Sequence, residues 1–239
     1  MIRGLLQRSA ERRREAAREA ALAGAPPGPL RDYLSTPFPS PGTPLTELPL
    51  LAVDFETTGL DAERDRVIAL GFVPLDGLSI DLSGAQRRVL AMRMDVGQSA
   101  TVHGLTDDLI AAGAVPKDAL IELLEALAGR VLLAHHASIE IGFLDAACQR
   151  VYGTPLVATA VDTLDLQHRV LTQGLGAAPD ISPGALRLWA ARERYGLPRY
   201  RAHEPLTDAL ACAELYLAQV AELSLRTSTP LSLKGVQSG

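Results

Sequence analysis

Leu50-Leu51-Ala52-Val53 is an uninterrupted apolar run with proline before it and acid after it. It reads as a buried strand, and its surroundings limit the folds that can receive it. Upstream, from Ala25 to Pro49, eight prolines (Pro26, Pro27, Pro29, Pro37, Pro39, Pro41, Pro44, Pro49) stand among Gly, Ser and Thr. A segment of that composition predicts a linker or an extended strap, without helix or central strand. Downstream, Val67 to Leu75 and Arg87 to Met94 are further strand candidates, and the short spacers between them indicate an antiparallel meander. From Pro116 the order alternates. Pro116 opens a helix to Ala128, Val131 to Ala134 is a short strand, Ser138 caps a helix through Val151, and Val157 to Val161 is a fifth strand. Helical segments follow at Thr163 to Leu171 and Gly184 to Tyr195. A last amphipathic helix runs from about Pro205 to Leu223, with Leu210, Ala213, Leu217 and Val220 on its apolar face. A meander followed by β-α-β units predicts an α/β fold: a mixed five-stranded sheet with helices on both faces. The predicted organisation is a basic N-terminal helix over residues 1–24, the strap over 25–49, the main domain over 50–223 and a polar tail over 224–239.

Charge is uneven along the 239 residues. The formal net charge is −5. The first 22 residues hold six arginines against three glutamates, +3, which leaves −8 on the rest. The N-terminal helix is read as a solvated or partner-seeking surface, or more sharply as a basic arm for phosphates. An acidic body still accommodates a polyanion where its carboxylates hold divalent cations. The two cysteines, Cys148 and Cys212, lie in apolar helical stretches without a partner at zinc-ligand spacing, so they read as buried thiols of a reducing compartment. No apolar run approaches the ~18 residues that span a bilayer. A cytoplasmic location without membrane association is the expectation.

The predicted first strand ends Asp54-Phe55-Glu56-Thr57-Thr58-Gly59. Side chains alternate along a strand, so Asp54 and Glu56 share a face and repel each other unless something positive lies between them. Asp-x-Glu alone reads first as a strand running out into solvent with two hydrated carboxylates. Thr57-Thr58-Gly59 favours a ligand, because small residues and a glycine let the backbone approach it closely. Oxygen-only donors select magnesium or manganese over zinc. Near the other end, His203 precedes Asp208 by five residues, with Pro205 between them. Asp208 alone is an ordinary helix-start residue. His203 alone is an ordinary surface histidine, although a loop imidazole can take a proton from water near neutral pH.

Together these stretches resemble the DnaQ-like exonucleases, in the branch named for four acidic residues and a histidine. Asp54 to Leu60 resembles the family's first motif and His203 to Asp208 its third. Ala134-His135-His136-Ala137-Ser138-Ile139-Glu140-Ile141-Gly142-Phe143-Leu144 occupies the place of the second, where the family usually has Asn for His136 and Asp for Glu140. Val102-His103-Gly104-Leu105-Thr106 and Val161-Asp162-Thr163 resemble flanking landmarks. The resemblance spans about Leu50 to Leu223. It implies a ribonuclease H-like fold and a 3′–5′ exonuclease acting on single-stranded DNA or RNA ends. It further implies two divalent ions, Mg²⁺ or Mn²⁺, held by Asp54, Glu56, Glu140 and Asp208, with His203 as general base. Thr57, Thr58, Gly59, Leu60, His103 and His136 are the implied substrate contacts. Glutamate keeps the charge of aspartate with one more methylene, which predicts weaker metal binding or lower turnover. A catalytically impaired relative that binds nucleic acid or a partner is the rival reading, and an RNA end-trimming enzyme a third. The short polar stretch after Leu223 argues for a stand-alone enzyme over a polymerase subunit.

Overall fold

A computed structural model of the chain describes residues 2–91, 112–172, 181–182 and 184–238. Helix α1 (Ile2–Gly24) and helix α2 (Pro29–Ser35) precede the strands β1 (Pro49–Thr57), β2 (Val67–Asp76), β3 (Ser79–Ile80) and β4 (Gln86–Val89). Helix α3 (Pro116–Leu127), strand β5 (Val131–Ala134), helix α4 (Ser138–Tyr152), strand β6 (Ala160–Asp162) and helix α5 (Thr163–Thr172) supply the alternating part. Helices α6 (Leu188–Arg194), α7 (Pro205–Leu225) and α8 (Leu233–Val236) complete the described chain.

One mixed sheet runs in the order β3-β2-β1-β5-β6, with β4 also paired to β2. The meander is antiparallel, whereas β1-β5 and β5-β6 are parallel. The fold is α/β, as the order of elements predicts, and ribonuclease H-like, as the resemblance implies. The sheet differs from the five-stranded expectation in one respect: a two-residue strand, β3, pairs Ile80 with Leu75 beyond the end of β4. The strand expected over Arg87 to Met94 is found at Gln86–Val89, Leu90 then bridges Ala114, and residues 92–94 lie outside the described residues. The strand expected at Val157 begins at Ala160.

Alternation along β1 divides the core. Leu51 and Val53 pack on one face with Leu132, Leu123 and Leu144, and Leu50 and Ala52 on the other with Leu133, Ala209 and Tyr216. Near-continuous burial of the parallel strands follows from having helices on both faces.

The strap is not free of helix. Pro29 takes the first position of α2, where its missing N–H breaks no helical hydrogen bond and its fixed φ suits the turn. That helix buries Leu30, Tyr33 and Leu34 in the same cluster as Ala21 of α1 and Leu51 of β1. The Tyr33 hydroxyl donates to the carbonyl of Val157 at 2.9 Å. After α7 the chain likewise packs: Leu233 and Val236 are buried, and the amide of Ser238 donates to the carbonyl of Ala160 at 2.9 Å beside the edge strand β6. Both cysteines are buried free thiols. Among the described residues, no helix is long and apolar enough to cross a membrane.

Candidate active site

Strands β1, β5 and β6 are mutually parallel, so their C-terminal ends emerge at one edge of the sheet, the usual place for ligands in such folds. β1 delivers Asp54 and Glu56 there, on the face that α7 covers. How α7 comes close depends on Gly71, which stands opposite Asp54 in the β1-β2 register. A Cβ at Gly71 would clash with the backbone of Pro205 and Leu206, at 2.2 Å from the Leu206 nitrogen. The first turn of α7 therefore lies directly on the sheet and carries Asp208 to the strand end. Carboxylate oxygens of Asp54, Glu56 and Asp208 all lie within 4.8 Å of one another.

Such crowding is unfavourable for bare carboxylates. Burial first, then repulsion from Glu140, Asp208, Glu56 and Glu204, pushes Asp54 well above the usual carboxylate range. Burial and the charges of Asp208 and Glu204 push Glu56 to about 7. Asp208 is raised as well, chiefly by burial, against the lowering effect of the His203 amide.

Glu140 lies in the first turn of α4 and is buried. It is outside the 4.8 Å triangle, although its charge acts on Asp54. Its Oε2 is buried without a hydrogen-bond partner among the described residues, and burial pushes its carboxyl to about 8. The expected cap from Ser138 is absent, since the helix begins at Ser138 with no side-chain cap. Asp162, at the end of β6, takes over that task. Its two oxygens accept the amides of His136 at 2.8 Å and Ala137 at 3.0 Å, and Oδ1 also accepts that of Leu164 at 2.9 Å. A charged acceptor for several amides outcompetes a hydroxyl.

His203 is exposed, and its amide donates to Asp208 Oδ2 at 2.8 Å. His203 and His136 have φ values of 66° and 79°, the positive φ values of non-glycine residues among those described. Left-handed backbone at such residues costs of order 1–2 kcal/mol and concentrates at functional sites. The next residue, Glu204, caps α7 by accepting from the Thr207 amide at 2.8 Å and hydroxyl at 2.6 Å, and its other oxygen pairs with Arg87 of β4 at 2.5 Å.

The loop after β1 is built around Asp65. Thr58 Oγ1 donates to Asp65 Oδ1 at 3.0 Å, and the Asp61 amide donates to Oδ2 at 2.9 Å. A side chain at Gly59 would collide with that carboxylate. Thr57 Oγ1 donates to the Gly59 carbonyl at 2.6 Å, and Leu60 projects from the loop 78% exposed. His136 is exposed beside this edge. His135 is turned inward with Nδ1 2.9 Å from the Thr163 hydroxyl, and burial lowers it to about 4. His103 lies outside the described residues. Asp162 was legible only as a flanking landmark, and Gly71, Glu204 and Arg87 carry no local signal that sets them apart.

A family model described as Exonuclease (RNase_T) matches residues 51–216. The DNA polymerase III subunit epsilon of Treponema pallidum is 28% identical over 170 residues, covering 71% of this chain and 75% of that protein. A PolC-type DNA polymerase III of Thermotoga petrophila is 27% identical over 183 residues, 76% of this chain but only 12% of that protein's length. Among solved structures, the nuclease domain of 3′hExo, a DEDDh family member bound to rAMP, aligns with a TM-score of 0.59 at 14% identity, over 73% of this chain and 92% of that one. E. coli Exonuclease I with a dT13 oligonucleotide aligns with a TM-score of 0.62 at 12% identity, over 75% of this chain and 42% of that one. At such identities the structural likeness speaks for the fold, and the family model, which covers most of the chain, speaks for descent. The chain belongs to the Exonuclease (RNase_T) family.

Proposed function

We propose that this protein is a divalent-metal-dependent 3′–5′ exonuclease that hydrolyses phosphodiester bonds at the ends of single-stranded nucleic acid. The observation that carries the reading is the convergence of Asp54, Glu56 and Asp208 within 4.8 Å at the sheet edge. Desolvated carboxylates at that spacing ionise together only around positive charge, and an all-oxygen set fits Mg²⁺ or Mn²⁺. The buried, unpartnered Oε2 of Glu140 supports a fourth ligand. Two such ions, when bound, would supply Lewis-acid stabilisation of the phosphoryl charge and a more acidic water.

The chain's own residues account for the remainder. His203, held through its amide by Asp208, accepts the proton of the attacking water. Leu60 wedges against the terminal nucleotide, and the Thr57-Thr58-Gly59 backbone and His136 hold it. DNA is the favoured substrate, on the ground that the sequence relatives are named as a DNA polymerase III subunit and a PolC-type DNA polymerase III. The charged side of α1 is the proposed contact for a protein partner, and the buried thiols suit a cytoplasmic setting.

Purified chain with Mg²⁺ or Mn²⁺ and a 5′-labelled single strand should give a ladder shortened from the 3′ end, absent in Asp54→Ala. No ladder with either metal sinks the proposal, and faster digestion of an RNA of the same sequence reassigns the enzyme to RNA trimming. One observation favours a binding module instead: Glu140 stands outside the carboxylate triangle. Tight binding of the strand without hydrolysis is the outcome that reading requires.

A further inference from the structure

Beside His203 and Asp208 opens a groove of about 660 Å³, the size of a small-ligand site, walled by Arg187, Trp189, Arg199 and Tyr200. Arg187 is the N-cap residue of α6, Trp189 lies in its first turn, and Arg199 and Tyr200 come from the loop that follows it; none belongs to the three motifs. The stretch from Gly184 to His203 holds five arginines against one glutamate, a net +4 in a chain whose total is −5. It also holds the chain's single tryptophan. Trp189 is 56% exposed and Tyr200 39%.

The groove is supported from beneath. Buried Arg192 donates to the carbonyls of Ala211 at 2.6 Å and Pro198 at 2.9 Å, pairs with Glu214 at 2.8 Å, and lies 4.7 Å from the centre of the Tyr200 ring. The Tyr200 hydroxyl donates to Glu214 at 2.8 Å. Both glutamates at the groove are thereby occupied, Glu214 by Arg192 and Tyr200, and Glu193 by Arg199 at 2.9 Å. Arg187 makes no ion pair among the described residues. An exposed indole, a fixed phenol ring and outward guanidinium groups leading to a phosphodiesterase site are the parts of a single-strand groove: bases stack on the rings and phosphates meet the arginines.

We infer that this groove binds the single-stranded polynucleotide leading to the site, with a base stacked on Trp189 and a phosphate at Arg187. The inference rests on the nuclease reading for the ligand's class. Its test needs no catalysis, because the lone tryptophan is itself the probe. Full-length chain in EDTA is titrated with a fluorescein-labelled dT15, following anisotropy, and with unlabelled dT15, following tryptophan emission. Binding should quench the tryptophan. A strand of abasic sites with the same phosphates should bind with little quenching. Trp189→Ala should weaken dT15 binding about tenfold. Arg187→Ala should weaken it and lower the slope of log affinity against log salt by about 0.7. Arg150→Ala, an exposed arginine elsewhere, serves as the control.

Absence of binding, or anisotropy-detected binding with unchanged emission and undiminished affinity in Trp189→Ala, overturns the groove. If the strand binds and quenches but is not cut with Mg²⁺ or Mn²⁺, the nuclease reading fails and the groove stands. If it is cut while Trp189 proves indifferent, the groove fails and the nuclease reading stands.

Discussion

The carboxylate of Asp162 accepts the backbone amide of His136 at 2.8 Å while His136 holds a φ of 79°. This bond joins the end of β6 to the residues that lead into α4, and so fixes where that helix, with Glu140 in its first turn, begins. Asp162→Ala removes a buried charged acceptor of several amides. The variant should lose about 3 kcal/mol of stability, a fall in Tm of roughly 6–12 °C for a chain of this size. Calorimetry checks this, and a change below about 2 °C would show that the clamp is incidental.

Gly71 is predicted to be intolerant of even one methyl group. A Cβ there meets the backbone of α7's first turn, and backbone cannot swing aside as a flexible side chain can. Gly71→Ala should cost on the order of 1–3 kcal/mol. It should also depress kcat by up to about 10²-fold, by moving Asp208 away from Asp54 and Glu56. Wild-type turnover in a folded Gly71→Ala protein would contradict the packing account.

Glu140 distinguishes a ligand from a helix-start residue. Glu140→Asp should preserve or raise exonuclease activity, and Glu140→Ala should abolish it. Rates on a labelled single strand at saturating Mn²⁺ decide the matter, and normal activity in the alanine variant removes Glu140 from the site.

Metal-free stability should fall with rising pH. A carboxyl whose folded pKa exceeds its unfolded value binds its proton more tightly in the native state, so stability is lost as pH climbs from the unfolded to the folded value. For Glu56 that window runs from 4.5 to about 7, and for Glu140 from 4.5 to about 8. In EDTA, Tm should decline between about pH 5 and 8, and the rise in Tm on adding Mn²⁺ should grow over the same range. Asp54→Asn should raise the metal-free Tm and lose the Mn²⁺ response. A flat or rising EDTA profile would contradict the repulsion argument.

His203→Ala should lower kcat by 10²–10⁴-fold, the usual worth of a positioned general base. The Mn²⁺-induced rise in Tm should survive, because the imidazole is outside the carboxylate triangle. Loss of both together would make His203 a support for metal binding.

Strand alternation is a local property, and it places Asp54 and Glu56 on one face without reference to any tertiary contact. The order of apolar runs and helical periods likewise implied the mixed sheet, and the resemblance of its first and last elements to the family's motifs implied metal and base. Helix α2 was hidden because proline is compatible with the first turn of a helix, and composition does not reveal position. The burial of Leu233 and Val236 was hidden because two apolar residues in a polar stretch carry no period. The resemblance implied that Asp208 joins Asp54 and Glu56, and the tertiary structure supplies the means: the register that sets Gly71 opposite Asp54 and the absence of a side chain there. Tertiary structure alone made Asp162 the support of the second motif, and set Arg187, Arg199 and Trp189 along one groove beside His203. Sequence periodicity determines which face a residue occupies, but convergence depends on packing between elements distant in the chain, to which each contributes a residue unremarkable in its own neighbourhood.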